Sequence, residues 1–202
     1  AEPVVLVEHG DVLDAKADRS HPTKRNRPVA SGQISPLTAL ALGTTCLAAG
    51  LGLAWVAGAL GSVLAFVGLQ AVYNLGLKRL AVADVMGIGL AFVQRAVVGA
   101  QAIDVGVSGW LLVCTFALAM LIGFGKRRQE FVEQESGGFA TRATLAQYSR
   151  PSIDAMVVVS AALATVSYAL YVLESETARA HPGLLLTAVP VVFAALRYLQ
   201  LV

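Results

Sequence analysis

Asp11, Asp14 and Asp18 stand three and four residues apart, a spacing that puts all three carboxylates on one face of a helix. Left in water they would repel one another. A divalent cation between them removes the repulsion, and hard carboxylate oxygens with room for water suit Mg²⁺, usually shared with a phosphate ligand. Five basic residues, Lys16, Arg19, Lys24, Arg25 and Arg27, lie in or just after the same stretch. Acid for a metal beside base for phosphate oxygens reads as a diphosphate site. The competing reading is a solvated amphipathic linker whose charges merely face water.

Further charges recur along the chain. Tyr73 and Asn74 precede Lys78 and Arg79 at the end of an apolar run; Lys78 is either a snorkelling anchor or a phosphate contact beside the metal. Asp84 and Arg95 fall inside an apolar run, where ionisable groups are costly and face a cavity or a partner. Eleven residues separate them, so both point the same way, but about 16 Å of helix rise keeps them from pairing. Their partners must come from other helices. Gly125-Lys126-Arg127-Arg128 closes another run, with Glu130 extending the helix and Glu133, Glu135, Arg142, Tyr148 and Arg150 following. This is a stop-transfer anchor or a second ligand-binding group. Asp154, just after Pro151, reads as a helix-end cap or first-turn acid, and Tyr168, Tyr171, Arg197 and Tyr198 as interface anchors.

The elements that must position these groups are apolar helices. Of 202 residues 56% are hydrophobic and 14% charged, with a mean hydropathy of +0.69, against about a quarter charged in soluble domains. Runs at about 36–55, 59–77, 83–101, 107–124, 153–173 and 183–202 are each long enough to cross a bilayer, which predicts an all-α polytopic bundle of six spans. Gly58 and Gly61 predict a tight turn between the first two, and Gly50, Gly52 and Gly68 a close helix approach. Twelve of the fifteen Lys and Arg lie before 36, at 78–79 and between 124 and 153, while the alternate loops hold only Arg179 with Asp104, Glu174 and Glu176. By the positive-inside rule the charged segments share the cytoplasmic face. Residues 1–35 form one charged motif segment and 125–152 a second charged loop, within a single membrane domain over 1–202. Cys46 and Cys114 sit in apolar runs and read as packing residues. Residues 2–9 are too short an apolar run for a leader or span, and a segment upstream of Ala1 is expected. The histidines His9, His21 and His181 lack zinc spacing, no nucleophile constellation, Walker loop or GxGxxG is visible, and basic residues without interleaved aromatics argue against nucleic acid.

The run Asp11-x-x-Asp14-x-x-x-Asp18-Arg19-x-His21-Pro22-x-Lys24-x-x-Arg27-Pro28 resembles the first aspartate-rich motif of the UbiA-type intramembrane prenyltransferase superfamily. Tyr73 to Arg79 with Asp84, Gln94-Arg95-Ala96 leading to Gly99, Ser108-Gly109-Trp110, Gly125-Lys126-Arg127 with Glu130, and Arg197-Tyr198-Leu199 carry the likeness on to the branch that moves phosphoribose onto a polyprenyl (decaprenyl) phosphate. The resemblance implies a fold of about nine helices, of which this chain would be a part lacking N-terminal and C-terminal helices, and a place in cell-wall arabinan synthesis. It also implies Mg²⁺ on Asp11, Asp14 and Asp18 as the catalytic set, with phosphoribosyl diphosphate as donor. Arg19, Lys24, Arg27, Lys78, Lys126 and Arg127 would meet phosphates, and Tyr73 and Glu130 would orient them. Gly10 departs from the family pattern, which has Asn before the first Asp. Aromatic prenyltransferases of the superfamily resemble one another in a second aspartate pair, and residues 125–152 contain no aspartate; an ordinary prenyltransferase and a non-catalytic lipid-phosphate binder stand as alternatives. A homo-oligomer is left open.

Overall fold

The structure is a computed structural model that describes residue 26 and residues 28–137 and 143–202. Helices α1 (Pro36–Val56), α2 (Leu60–Leu75), α3 (Ala83–Ala102), α4 (Gly109–Glu135), α5 (Arg150–Glu174), α6 (Glu176–Ala180) and α7 (Ala188–Leu201) follow in chain order, with 3₁₀ segments at Leu77–Arg79, Ala143–Gln147 and Pro182–Thr187. Among the described residues there is no strand. Among the described residues six helical stretches are long and apolar enough to cross a membrane: Pro36–Val56, Leu60–Arg79, Ala83–Ala102, Gly109–Glu135, Arg150–Glu174 and Pro182–Leu201. They match the six expected spans. Helices satisfy their own backbone groups, which is what lets them lie in lipid, and side chains such as Trp55, Leu186 and Phe193 are about three-quarters exposed within the chain. The chain is a multi-pass membrane protein.

The chain divides into two units, 1–60 and 61–202. In the first, Ser35 caps α1 by accepting from the Thr38 N–H at 3.1 Å, with Pro36 at the first helical position, where its missing N–H is no loss. Val29 and Ile34 pack on Ala39 across the turn that leads into it. Gly58, at φ 68°, ends the helix.

In the second unit α4 packs along both α3 and α5, and α7 packs on α5. Val85, Leu121, Phe124, Tyr148, Ile153, Val157 and Ala161 form the buried core. These residues come from the start of α3, the second half of α4, the segment just before α5 and the first half of α5, so the dry interior lies at one end of the unit. Within this unit close approach is made possible by Gly123, Gly89 and Gly87. A Cβ on Gly123 would sit 2.6 Å from Val85 Cγ1, one on Gly89 2.8 Å from the Phe116 ring and one on Gly87 2.9 Å from Tyr73 Cδ2, whereas one on Gly68 would meet nothing within 4 Å. Gly125 likewise leaves room for the Tyr198 hydroxyl. Tyr198 is thus a packing residue against α4 rather than an interface anchor alone.

Helix α4 runs past the apolar run that closes at 124 and through Glu130, as expected, and differs from expectation only in continuing to Glu135. The first part of the second charged segment is helix, not loop. Ser149 caps α5 reciprocally with Ser152. Asp154 is therefore not a cap; its Oδ1 accepts from Arg128 Nε at 2.5 Å, tying α5 to α4. Arg150 and Glu135 add a second, exposed pair at 3.6 Å, worth little by itself.

Candidate functional site

The charged end of the second unit is built around the turn from α2 into α3. Leu77–Arg79 is a single 3₁₀ turn, and Val82 follows with φ 66° and ψ −50° and makes no side-chain cap. Ala83 N–H reaches back to the Ala81 carbonyl at 2.7 Å, which makes Val82 the centre of a positive-φ γ-turn, a rare and strained conformation. For a β-branched residue such strain is of order 1–3 kcal/mol and persists only where the surroundings enforce it.

The enforcement comes from the segment before α5. Gln147 Oε1 accepts from Ala81 N–H at 3.0 Å while its Nε2 donates to the Arg79 carbonyl at 3.0 Å. The Tyr148 hydroxyl accepts from Val82 N–H at 2.6 Å and donates to Asp84 Oδ1 at 3.4 Å. Burial pushes the Tyr148 phenol above its ordinary value, an effect offset in part by the Val82 hydrogen bond and by Arg127 and reinforced by Asp84. The neutral phenol is therefore the form that the fold holds. Its contribution to stability is present below the ordinary tyrosine range and is lost as pH rises through the raised value.

Asp84 is fully buried and its partner does come from another helix. Arg127 Nε donates to Asp84 Oδ2 at 2.8 Å, and Arg127 Nη1 donates to Glu130 Oε2 at 2.8 Å, with the Arg127 side chain only 2% exposed. Val85 N–H completes the shell of Asp84 Oδ1 at 2.9 Å. The expectation that Arg127 meets a phosphate is thus answered by a different arrangement: its guanidinium is turned inward onto two carboxylates. Glu130 orients Arg127. Lys126, its neighbour, is exposed, Lys78 is half-buried and Arg79 exposed.

Tyr73 lies apart from this network, on the last turns of α2. It lines a cavity of about 120 Å³ with Gln70, Ile88, Ala91, Phe92 and Arg95. Arg95 finds aromatic rather than acidic partners, its guanidinium carbon 5.5 Å from the Phe66 ring centre and 5.4 Å from that of Phe92, a cation–π arrangement. Gln94 Nε2 donates to the Ser62 carbonyl at 3.0 Å, pinning α3 to α2 nearby.

Asp11, Asp14, Asp18, Arg19, Lys24 and Arg27 lie outside the described residues. Among the described residues no three His, Cys, Asp or Glu side chains gather as metal ligands, and Asp84 and Glu130 are already engaged by Arg127. Gln147 and Val82 were invisible as site residues in the sequence, and Tyr148 stood out only as a member of a polar loop. Their partners lie 66 and 68 residues away, and no local spacing announces such a contact.

The sequence profile of the UbiA prenyltransferase family matches residues 10–201. The chain is similar to proteins named decaprenyl-phosphate phosphoribosyltransferase. It is 31% identical to that of Corynebacterium glutamicum over 98% of this chain and 61% of the relative. It is 31% identical to that of Mycolicibacterium smegmatis over 93% and 62%, and 32% identical to that of Mycobacterium tuberculosis over 98% and 65%. It thus spans under two thirds of the length of these curated relatives. With a matched profile over nearly all of its length and six apolar helices to carry it, the chain belongs to the UbiA prenyltransferase family.

Proposed function

We propose that the protein transfers 5-phosphoribose from phosphoribosyl diphosphate to a polyprenyl phosphate such as decaprenyl phosphate, releasing diphosphate. The observation that carries the reading is likeness to decaprenyl-phosphate phosphoribosyltransferases along nearly the whole chain. The basic end supports it, because Lys78 and Arg79 stand on the turn that Gln147 clasps, and Lys126 is the neighbour of Arg127, whose guanidinium reaches Asp84 at the start of α3. The lack of any aspartate over 125–152 also sets the chain apart from a prenyl-diphosphate enzyme with two acidic motifs.

In the reaction an oxygen of the lipid phosphate forms a bond to the ribose anomeric carbon as the bond from that carbon to the diphosphate breaks. The electron pair leaves with the diphosphate. No proton need be removed from an ionised lipid phosphate, so the chain's task is to bind, orient and stabilise developing negative charge. Lys24, Arg27, Arg19, Lys78 and Lys126 are the phosphate contacts in this reading, and Tyr73 orients substrate from its cavity. Arg127 and Glu130 hold the end of α4 that presents Lys126. Asp11, Asp14 and Asp18 would hold Mg²⁺, which supplies charge neutralisation at the leaving diphosphate. The lipid tail lies in the bilayer, the charged end faces the cytoplasm, and the product feeds cell-wall arabinan precursor synthesis.

The test is transfer of labelled ribose phosphate to polyprenyl phosphate in membranes carrying the full-length protein. Metal-dependent product that Asp14→Asn abolishes is expected. A protein that instead prenylates an aromatic acceptor, or binds lipid phosphate without turnover in either assay, would overturn the reading.

A further inference from the structure

The turn that carries Lys78 and Arg79 makes backbone hydrogen bonds of its own, but its second half is also held by side chains from elsewhere in the chain. Three of its backbone groups, the Arg79 carbonyl and the Ala81 and Val82 N–H groups, are taken by Gln147 and Tyr148. Val82 sits at φ 66° between them, where glycine would rest at ease and valine does not. A strained residue relaxes when its restraints go, and here relaxation of Val82 would rotate the 3₁₀ turn before it.

We propose that Gln147 and Tyr148 are positioning residues: they lock the Val82 γ-turn and so fix Lys78 and Arg79 where the donor's phosphates bind. This rests on the phosphoribosyltransferase reading above. The two side chains divide the work. Gln147 is exposed and bridges two backbone groups of the turn as a neighbouring strand would, while Tyr148 is buried and links the turn to Asp84 and, through Asp84, to Arg127 on α4. The segment before α5 therefore reaches the phosphate-binding cations without touching substrate. Donor affinity is set in part by residues on the far side of two helices in sequence.

The experiment uses the full-length protein in lipid nanodiscs with Tyr148→Phe, Gln147→Ala, and Val82→Gly added to Tyr148→Phe. Two quantities are read: amide exchange across 77–84, and the Kd of labelled phosphoribosyl diphosphate with Mg²⁺. Loss of one hydrogen bond to the strained turn should speed exchange and raise the Kd about tenfold, with the affinity for polyprenyl phosphate unchanged. Val82→Gly should restore much of the donor affinity, because glycine holds the positive φ unaided. A residue that merely stabilised the fold would weaken both ligands alike, and glycine at 82 would not repair it. Gln147→Ala leaves the Asp84 and Arg127 pair untouched, so it serves if Tyr148→Phe does not fold. Unchanged exchange in both single variants overturns the proposal, as does faster exchange with an unchanged donor Kd. A wild-type protein that binds no phosphoribosyl diphosphate brings down the functional reading and the positioning role with it, whereas donor binding that ignores all three variants brings down the positioning role alone.

Discussion

Arg127 shows how much rests on one side chain at the charged end. Its guanidinium joins Asp84, at 0% exposure, to Glu130, and removing one partner of a buried pair leaves the other charge without compensation. Arg127→Met should therefore lower stability by about 3–5 kcal/mol, while Asp84→Leu with Arg127→Met should recover most of the loss, because two apolar groups of similar volume need no partner. Thermal unfolding in detergent, followed by monodispersity, checks both. The single variant matching the double would show that the pair carries no such weight. That Asp84 needed a partner from another helix was legible in the sequence, since a carboxylate in an apolar run has few other options. Which cation would answer was not, because Lys126, Arg127 and Arg128 are adjacent and only the helical phase of α4 sorts them: Arg127 faces Asp84, Arg128 faces Asp154 and Lys126 faces outward.

Among the elements, α3, α4 and α5 form the frame, and small residues decide how near they come. Gly123 is the tightest point in that frame for which Val85, a core residue at 0% exposure, is the neighbour. Gly123→Ala should cost about 1–3 kcal/mol through overpacking. Gly68→Ala, on an open face, should be neutral or stabilising by about 0.5–1 kcal/mol from helix propensity. Melting temperatures of the two variants in the same detergent compare them directly, and equal behaviour would mean that the α3 and α4 contact is not close-packed. The six spans were readable because long apolar runs have one use in a chain this hydrophobic. The Gly positions at the contacts were not, since glycine in an apolar run serves packing, turn or neither. That α4 runs on to Glu130 was legible, but its last turn to Glu135 was not, because Glu133 and Glu135 look like loop until Glu135 is seen to pair with Arg150 on α5.

At the scale of the whole molecule the distribution of Lys and Arg makes a topological prediction. In a variant with Cys46 and Cys114 replaced by alanine, single cysteines at Lys78 and Lys126 should react with an impermeant maleimide only in inverted membrane vesicles. Cysteines at Asp104 and Glu176 should react only in right-side-out vesicles. Labelling of Lys78→Cys and Lys126→Cys from opposite sides would break the proposed site apart. The aspartate-rich stretch, Asp11 to Asp18, was the most legible chemistry in the sequence, by its spacing and its resemblance, and lies outside the described residues.

The long sequence separation of the contacts at the charged end also sets an order for biosynthesis. Asp84 leaves the ribosome 43 residues ahead of Arg127, and Val82 leaves 66 ahead of Tyr148. At cellular synthesis rates the second interval is roughly 3–13 s. Throughout that time the strained turn at the start of α3 is unsupported, and until Arg127 emerges the Asp84 carboxylate is unmatched as well. The nascent hairpin of α2 and α3 must then stay loosely placed until the segment before α5 emerges, and premature termination anywhere between Arg128 and Gln147 would release a chain that has its ion pair but not its turn.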